Sequence, residues 1–388
     1  MDRIYLDHAA TTAPDPRVVA AMLPMLTTYW GNASSIYIEG QEAHRALDSA
    51  RKLVADLLGA APKEIVFTSG GTESDNAAIR GAAFAQRERG RGDHIITSQV
   101  EHHAVLHAFE QLEREGFRAT YLPVDEDGVV DLRALEESVT AETTLVSVMT
   151  ANNEVGTIQP IAEISRIAKA KNAHTLVHTD AVQAAGSIEV TPANLGVDLL
   201  SIAAHKLYGP KGVGLLYVKN RTPWQPLLRG GSQEKERRAG TENLAGIAGL
   251  ATAMQLAWDD REARNTRIRR LRDRLLFGLP ERISDTVITG PKDPERRLTN
   301  SFSCCFRNVE GESVLLALDM AGIAASSGSA CTTGALEPSH VLTAMGIPSD
   351  LAHASLRLTL GVENTDEQVD RVLEVLPGVV QRLRALAG

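Results

Sequence analysis

The sequence predicts an α/β fold with a large domain on a mostly parallel seven-stranded sheet and a smaller C-terminal α/β domain. The chain has 388 residues, which is more than one simple core needs. Short apolar runs alternate with longer helical patterns through its middle, and the pattern changes near Asp259. We therefore expect residues 16–258 to form the large domain, and residues 1–15 and 259–388 to form the small one.

Seven short apolar runs in the first part of the chain are typical of buried strands. They lie at residues 65–68, 94–97, 119–122, 145–148, 175–178, 199–202 and 215–218. Because helical patterns separate most of these runs, we expect βα units around a largely parallel sheet.

The last third of the chain predicts a charged helix from about residue 259, a strand near 301–306, and helices near 312–321 and 366–386. The charged helix carries many arginines, with apolar residues at helical spacing between them. The arginines are Arg261, Arg264, Arg267, Arg269, Arg270, Arg272 and Arg274, and the apolar residues are Ile268, Leu271 and Leu275. This spacing favours an amphipathic helix with a solvated arginine face over an RNA site.

The composition is that of a soluble globular protein, with 43% hydrophobic and 23% charged residues. A net charge of −9 argues against nucleic acid or an anionic membrane as the main partner. No apolar run reaches the length of a membrane span, and the N-terminal residues do not resemble a signal peptide. The adjacent Cys304 and Cys305 argue against a disulfide framework, so we expect a reducing cytoplasm.

Lys206 follows an apolar strand and precedes a Gly/Pro turn and a second strand, while Asp180 ends another apolar strand. A lysine amine among apolar neighbours stays nucleophilic and can bond to the aldehyde of pyridoxal phosphate. A buried carboxylate can hold a proton on the pyridine nitrogen of that cofactor. Most lysines are surface charges, so the prediction depends on other stretches that fit the same cofactor.

The stretch from Phe67 to Asn76 contains the glycine pair Gly70 and Gly71, followed by Thr72, at the start of a predicted helix. Backbone N–H groups at such a turn can bind a phosphate, and the threonine hydroxyl can add a donor. A capped strand-to-helix turn without a ligand is the commoner explanation for this pattern taken alone. The spacing matches neither a Walker loop nor a dinucleotide-binding motif.

Gln183 lies three residues after Asp180, close enough to reach the same ligand, although Asp180 could simply cap the next helix. His102 follows another strand, where an imidazole could stack on a pyridine ring and transfer protons. His103 and His107 have the spacing of a metal-binding pair, but no third ligand accompanies them. We therefore expect a surface helix and no metal site.

Cys331 lies among glycines and small residues, which makes its thiol a candidate nucleophile on a loop. Cys304 and Cys305 lie within an apolar run, so we expect them to pack in a core. Arg357 lies within a short predicted strand. Its guanidinium suits the carboxylate of an amino acid, although an ordinary salt bridge is the alternative.

Taken in order, these stretches resemble one family, the cysteine desulfurases, in the class V branch of fold-type I pyridoxal-phosphate enzymes. The resemblance covers nearly the whole chain and is most specific where several motifs follow one another. These motifs lie at residues 5–12, 68–74, 101–102, 152–156, 178–183, 205–212, 240–243, 328–331 and 357. The longer segment after Cys331 is similar to the nitrogen-fixation and housekeeping iron–sulfur subgroup.

The resemblance implies a role for each residue of a cofactor site. Lys206 would attach the cofactor, Asp180 would pair with the ring nitrogen, and Gln183 would hydrogen-bond the ring oxygen. His102 would stack on the ring. The remaining cofactor contacts, mainly to phosphate, would come from Gly71, Thr72, Asn153, Ala203, His205 and Thr241, with Thr241 reaching across from the second subunit of a homodimer.

The resemblance also implies the substrate site and the reaction. Asn153 and Arg357 would bind the substrate carboxylate, with Asn32 nearby, while Lys206 and His102 would move protons. Cys331 would take sulfur from L-cysteine as a persulfide, leaving L-alanine, and deliver it to iron–sulfur scaffold or other sulfur-acceptor proteins, including those of tRNA thiolation. Selenocysteine lyase, an aminotransferase of the same fold and an inactive scaffold remain alternatives.

Three departures from the family pattern matter. Ala203 replaces a serine that usually binds the phosphate, which removes one hydrogen bond and lowers cofactor affinity by about 1–2 kcal/mol. The usual Gly-Asn-Pro-Ser-Ser has Ala33 in place of proline, and the usual Arg-Ser-Gly-Thr has Ala239 in place of serine. None of the three removes a group that the chemistry requires.

Overall fold

The computed structural model describes residues 3–328 and 338–387. Strands are numbered here in chain order. They are β1 (Ile4–Tyr5), β2 (Ile65–Thr68), β3 (His94–Ser98), β4 (Arg118–Leu122), β5 (Thr143–Ser147), β6 (Leu176–Asp180), β7 (Leu199–Ala203), β8 (Gly214–Val218), β9 (Thr286–Ile288), β10 (Ser301–Phe306), β11 (Ile323–Ala324) and β12 (Ser355–Thr359).

The helices are numbered in the same way, and short 3-10 turns lie at Pro62–Glu64, Ala204–Lys206 and Pro294–Arg296. The helices are α1 (Pro16–Thr27), α2 (Ile38–Leu58), α3 (Gly71–Glu88), α4 (His103–Arg114), α5 (Leu132–Ser138), α6 (Ile161–Lys171), α7 (Pro192–Leu195), α8 (Gln233–Glu236), α9 (Leu244–Asp259), α10 (Arg261–Arg282), α11 (Gly311–Met320), α12 (His340–Ala344), α13 (Ser349–Ala352) and α14 (Asp366–Ala387).

The large sheet of the described residues has seven strands in the order β2-β8-β7-β6-β5-β3-β4. The pairs among β3 to β7 are parallel, whereas β8 runs antiparallel to both β2 and β7. All seven predicted strands are confirmed, with bounds that differ from the prediction by at most two residues. Parallel strands place their carboxyl ends at one edge, where such folds bind ligands.

Helices cover both faces of this sheet, so successive residues of a strand enter opposite hydrophobic clusters. In β2, Val66 joins one cluster and Phe67 the other, and in β3, Ile95 and Ile96 divide in the same way. Burial on both faces is why these strands are almost continuously apolar rather than alternating.

The small domain contains an antiparallel sheet in the order β12-β10-β9 and the short parallel pair β1-β11. The predicted strand 301–306 is confirmed as β10, and the predicted helices are α11 and α14. Ile4 and Leu6 share a hydrophobic cluster with residues of β10, β12, α10 and α14, which supports the predicted grouping of the N-terminus with this domain. The domain boundaries themselves stay predictions.

In helix α10 the predicted apolar stripe is confirmed, but one of the arginines expected on the solvated face is buried. Ile268, Leu271 and Leu275 are buried as expected, and so is Arg272, with an exposed fraction of 0%. The Arg272 guanidinium donates to the carbonyls of Leu298 and Pro294 and pairs with Asp273. Arg272 is therefore an interior side chain satisfied by hydrogen bonds rather than part of a solvated surface.

Cys304 and Cys305 are fully buried in β10, which confirms that they pack in a core. Burial raises the pKa of the Cys305 thiol to about 12, so it is not a reactive thiolate. Within residues 3–328 and 338–387, no helix combines the length and apolarity that crossing a membrane demands.

Candidate active site

A cavity of about 300 Å³ lies at the carboxyl edge of the large sheet. Asp180 is the last residue of β6, Ala203 is the last residue of β7, and Lys206 ends the turn that follows. The cavity brings together ten of the predicted site residues with five others. Its lining consists of Ala9, Ala10, Gly71, Thr72, Asp75, His102, Met149, Asn153, Asp180, Val182, Gln183, Ala203, His205, Lys206 and Arg357.

The Lys206 amine is held over the N-terminal segment of the chain. Its Nζ donates to the carbonyl oxygens of Ala9 at 2.5 Å and Ala10 at 2.7 Å. Gln183 Nε2 donates to the same Ala9 oxygen at 3.0 Å. The N-terminal segment therefore orients both the lysine and the glutamine at the cavity.

His102 is the N-cap residue of α4, and its ring is neutral. Nδ1 accepts a hydrogen bond from the Ala104 N–H at 3.1 Å, so the ring proton resides on Nε2. Burial, followed by the positive charge of Lys206, lowers the pKa of His102 to about 4. A flat neutral imidazole at the cavity wall can stack on a ring and donate from Nε2.

Asp180 forms the acidic floor of the cavity together with Asp75, a residue that the sequence did not single out. Asp180 Oδ1 accepts from the Val182 N–H at 2.8 Å within a turn. The next helix, α7, begins only at Pro192, so the alternative that Asp180 caps a helix is wrong. Burial raises the pKa of Asp180 to about 6, against the lowering effects of Val182 and Lys206. Burial, followed by the nearby Asp180, raises the pKa of Asp75 well above its usual range.

Asp75 Oδ1 is a buried acceptor that lacks a hydrogen-bond partner among the described residues, and it lies 3.7 Å from His178 Nε2. Burial lowers the pKa of His178 to about 3, so this ring is neutral. The signal that could have identified Asp75 is an acid three residues after Thr72, on the same face of α3 as buried alanines.

The opposite end of the cavity has the features of an anion site. Helix α3, of 18 residues, begins at Gly71, where its first N–H groups lack partners within the helix. A Cβ on Gly71 would lie 2.9 Å from Val182 Cγ2, so only glycine fits this approach. His205 lies nearby, with Nδ1 3.2 Å from Thr11 Oγ1. Burial and Lys206 lower the pKa of His205 to about 4.

Arg357 reaches the cavity from β12 of the small domain and is buried there. Nη1 donates to the Asn153 carbonyl at 2.9 Å, and Nη2 pairs with Asp7 Oδ1 at 2.9 Å. The buried Nε–H has no partner in the described residues. Arg357 thus forms an ion pair, the alternative considered above, and its guanidinium lines the cavity, where it could also donate to a carboxylate.

Three predicted site residues are not part of this cavity. Thr241 lines a separate cavity of about 190 Å³ beside Phe67, Thr68 and Ser69. Asn32 is exposed, and its Oδ1 accepts from the Ser34 N–H at 2.9 Å. Cys331 lies outside the described residues. The roles assigned to all site residues stay predictions.

His103 and His107 lie on α4 with their rings 5.2 Å apart, and His340 lies 4.8 Å from His103. Across the two described ranges, no group of three or more His, Cys, Asp or Glu side chains is arranged to hold a metal ion. His340 instead links the domains, because its Nε2 lies 2.9 Å from the Glu101 carbonyl.

The model of the class V aminotransferase family matches residues 4–372 of the chain. The cysteine desulfurase IscS of Methanosarcina thermophila is 52% identical over 384 residues, covering 99% of this chain and 93% of that protein. The IscS of Clostridium botulinum strain Hall is 49% identical over 385 residues, covering 99% and 96%. The chain belongs to the cysteine desulfurase family.

Structures agree with this assignment. A NifS-like protein superposes with a TM-score of 0.92 at 40% identity, covering 98% of this chain and all of that one. A cysteine desulfurase from Thermococcus onnurineus NA1 superposes with a TM-score of 0.87 at 28% identity, covering 98% and 95%. The predicted family and fold class are confirmed.

Proposed function

We propose that this protein is a pyridoxal-5′-phosphate-dependent cysteine desulfurase that converts L-cysteine to L-alanine and receives the sulfur on Cys331. The observation that carries the proposal is the single cavity that unites Lys206, Asp180 and His102 with the carboxylate donor Arg357. Such a set provides an amine, an acid, a flat ring and an amino-acid anchor within one space of about 300 Å³.

The residues present fit pyridoxal phosphate. Lys206 would hold its aldehyde carbon, Asp180 its ring nitrogen and Gln183 its ring oxygen. The Gly71 turn, Thr72 and His205 would hold its phosphate, because the glycine admits an anion close to the first N–H groups of α3. When bound, the cofactor supplies an electron-accepting ring that stabilises negative charge on the substrate carbon.

The electrostatics of the cavity favour the same ligand. Burial shifts the pKa of Asp180 upward to about 6 and the pKa of His205 downward to about 4, so burial disfavours the charged form of each side chain. A ring N–H cation beside Asp180 favours its carboxylate, and a phosphate beside His205 favours its imidazolium. A ligand with a cationic ring and an anionic group therefore complements both ends.

The chain's own groups account for binding and proton transfer. The buried Arg357, oriented by Asp7 and the Asn153 carbonyl, binds the carboxylate of L-cysteine through the N–H groups of its guanidinium at the cavity wall. Lys206 Nζ accepts a proton from the substrate α-carbon. His102 donates or accepts a proton at Nε2, since its Nδ1 is occupied by Ala104.

Sulfur transfer requires one thiol from the chain. The Cys331 thiolate attacks the sulfur of the substrate, forming a sulfur–sulfur bond as the carbon–sulfur bond breaks. The carbon keeps the electron pair and takes a proton, which gives L-alanine and a persulfide on Cys331. No external oxidant is needed, because the substrate carbon is reduced as the sulfur is oxidised.

A homodimer completes the proposal. Helices α1 and α2 and the segment between them expose large apolar side chains, a surface that monomers rarely present to water. These are Val19 (52% exposed), Leu23 (58%), Leu26 (64%), Trp30 (68%), Ile36 (89%), Tyr37 (57%) and Ile38 (69%). Burial of this surface against a second copy would also allow Thr241, which lies outside its own chain's cavity, to serve the neighbouring one.

The partners follow from the persulfide product. We propose that sulfur-acceptor or iron–sulfur scaffold proteins in the cytoplasm take the sulfur from Cys331. The net charge of −9 argues against direct nucleic-acid binding, so thiolation of tRNA would proceed through a protein carrier.

The test measures L-alanine and persulfide after incubation with L-cysteine. The Cys331→Ala variant should lose both products, while the neighbouring Thr332→Ser variant should keep them. Borohydride should fix the cofactor to the unaltered protein but not to Lys206→Ala. Alanine formation by Cys331→Ala at the unaltered rate would refute the proposal, and faster turnover of L-selenocysteine would favour the lyase alternative.

A further inference from the structure

Three consecutive residues of α8 adopt a backbone conformation that side chains disfavour. Glu234, Lys235 and Glu236 have φ angles of 49°, 57° and 64°. L-amino acids avoid this left-handed region because Cβ approaches the following carbonyl oxygen. Such a run persists only where its surroundings hold it, and such strain clusters at functional sites.

A buried ion pair holds the first of these residues. Arg51 Nη1 donates to Glu234 Oε2 at 2.8 Å and Nη2 to Oε1 at 2.5 Å, with both side chains at least 91% buried at 9% and 3% exposure. Glu234 Oε2 also accepts from the Phe67 N–H at 3.0 Å. The start of the segment is therefore fixed to the end of β2.

A second ion pair holds the other end of the segment. Arg238 Nε donates to Glu73 Oε1 at 2.9 Å and Nη2 to Oε2 at 3.2 Å. Glu73 Oε2 accepts in turn from the Ser69 N–H at 2.8 Å. Through Glu73, the segment is fixed to the glycine turn that opens α3.

Thr241 follows these two anchors directly, after Gly240 with φ of 106°. It lines the separate cavity of about 190 Å³ together with Thr68 and Ser69 rather than the cavity of Lys206. We infer that Glu234 and Arg238 are positioning residues that hold Thr241 for the phosphate of the cofactor bound to the partner subunit. This inference rests on the homodimer of the proposed function.

If Glu234 positions Thr241 for the partner subunit, its loss should affect cofactor binding in the opposite chain, which a purely structural role would not predict. The turn from Ser69 to Thr72 contributes donors to its own chain's cavity and, through the Arg238–Glu73 ion pair, helps to fix the segment that serves the other cavity, while the Arg51–Glu234 pair fixes the same segment to β2. Cofactor binding in one subunit therefore depends on Glu234 of the opposite chain and not on its own Glu234.

Mixed dimers of two differently tagged chains test this dependence. In the trans arrangement, one chain carries Lys206→Ala with Glu234→Gln, and the other is unaltered. In the cis arrangement, one chain carries Lys206→Ala alone, and its mate carries Glu234→Gln. Because only the chain that keeps Lys206 can form lysine-bound cofactor, the absorbance of that species measures the dissociation constant in one subunit. The reference is a dimer in which one chain carries Lys206→Ala alone.

We expect about tenfold weaker cofactor binding in the trans arrangement, the equivalent of one hydrogen bond to a charged acceptor, and unchanged binding in the cis arrangement. The exposed neighbour Glu236→Gln is the matched control and should change neither. Arg238→Lys keeps the charge but loses the paired geometry, so it should weaken binding in the same direction and serves if Glu234→Gln does not fold.

The positioning role of Glu234 and the homodimer can each fail in a distinct way. Equal affinities in the trans and cis arrangements, or a loss confined to cis, would overturn the positioning role while the dimer stands. Failure of the two tagged chains to purify together would overturn the dimer and this inference with it.

Discussion

Replacing Glu154 with glutamine should change how the stability of the protein depends on pH. Glu154 is buried next to the substrate side of the cavity, and Ser339 Oγ donates to its carboxylate from the small domain. Burial raises the pKa of Glu154 to about 7 from an ordinary 4.5, while the Ser339 hydrogen bond and the charge of Arg357 act in the lowering direction. Burial therefore outweighs both compensating interactions.

The stability lost to Glu154 depends on whether its carboxyl is protonated in the folded and in the unfolded chain. Below about pH 4.5 the carboxyl of Glu154 is protonated in both the folded and the unfolded chain, so its ionisation does not lower the free energy of unfolding. Between pH 4.5 and 7 only the unfolded chain is ionised, so unfolding releases a proton and stability falls as pH rises. The full loss above pH 7 is about 3 kcal/mol, from 1.36 kcal/mol for each pH unit between the two pKa values.

Thermal unfolding at pH 5 and at pH 8.5 measures this loss directly. The wild type should lose about 2–3 kcal/mol more than Glu154→Gln between the two pH values. For a chain of 388 residues this corresponds to a difference of about 3 °C in the change of Tm. The exposed Glu137→Gln is the control and should follow the wild type. Identical pH dependence of the wild type and Glu154→Gln would refute the reasoning.

Three further substitutions test the site and the core. Ala203→Ser should restore a hydroxyl donor at the cavity wall and strengthen cofactor binding about tenfold in equilibrium dialysis, and an unchanged affinity would contradict its assignment to the phosphate end. Arg357→Lys should raise KM for L-cysteine about 10–100-fold by removing bidentate binding, whereas the exposed Arg307→Lys should leave KM unchanged. Arg272→Ala should destabilise the fold by about 3 kcal/mol or more in urea unfolding, against less than about 1 kcal/mol for the exposed Arg270→Ala; equal effects would contradict the buried position.

The large sheet could be predicted because all of its strands except the edge strand β4 are buried along their whole length. Runs such as 215–218 are continuously apolar for this reason, and the spacing of the runs indicates the intervening helices. The same property hides strand direction, since an antiparallel strand buried on both faces has the same composition. The pairing of β8 with β2 joins residues about 150 positions apart, and no local pattern encodes it.

The buried Arg272 shows where a periodicity argument fails. Arg272 lies four residues after Ile268 and three before Leu275, so it occupies the apolar stripe of α10 rather than the opposite face. Spacing alone therefore contained the signal, but the arginine composition of the segment favoured a solvated face. The carbonyls of Leu298 and Pro294 that make its burial tolerable come from a distant loop.

The site residues were predictable from strand ends, but their connection through the N-terminal segment was not. Leu6 N–H donates to Ala324 and Asp7 pairs with Arg357, which ties this segment to the small domain. A few residues later, the carbonyls of Ala9 and Ala10 accept from Lys206 of the large domain. Because one short segment carries both sets of contacts, a shift of the small domain that moves Arg357 also acts on the hydrogen bonds of Lys206. The substrate anchor and the reactive amine are thus mechanically linked through the N-terminal segment.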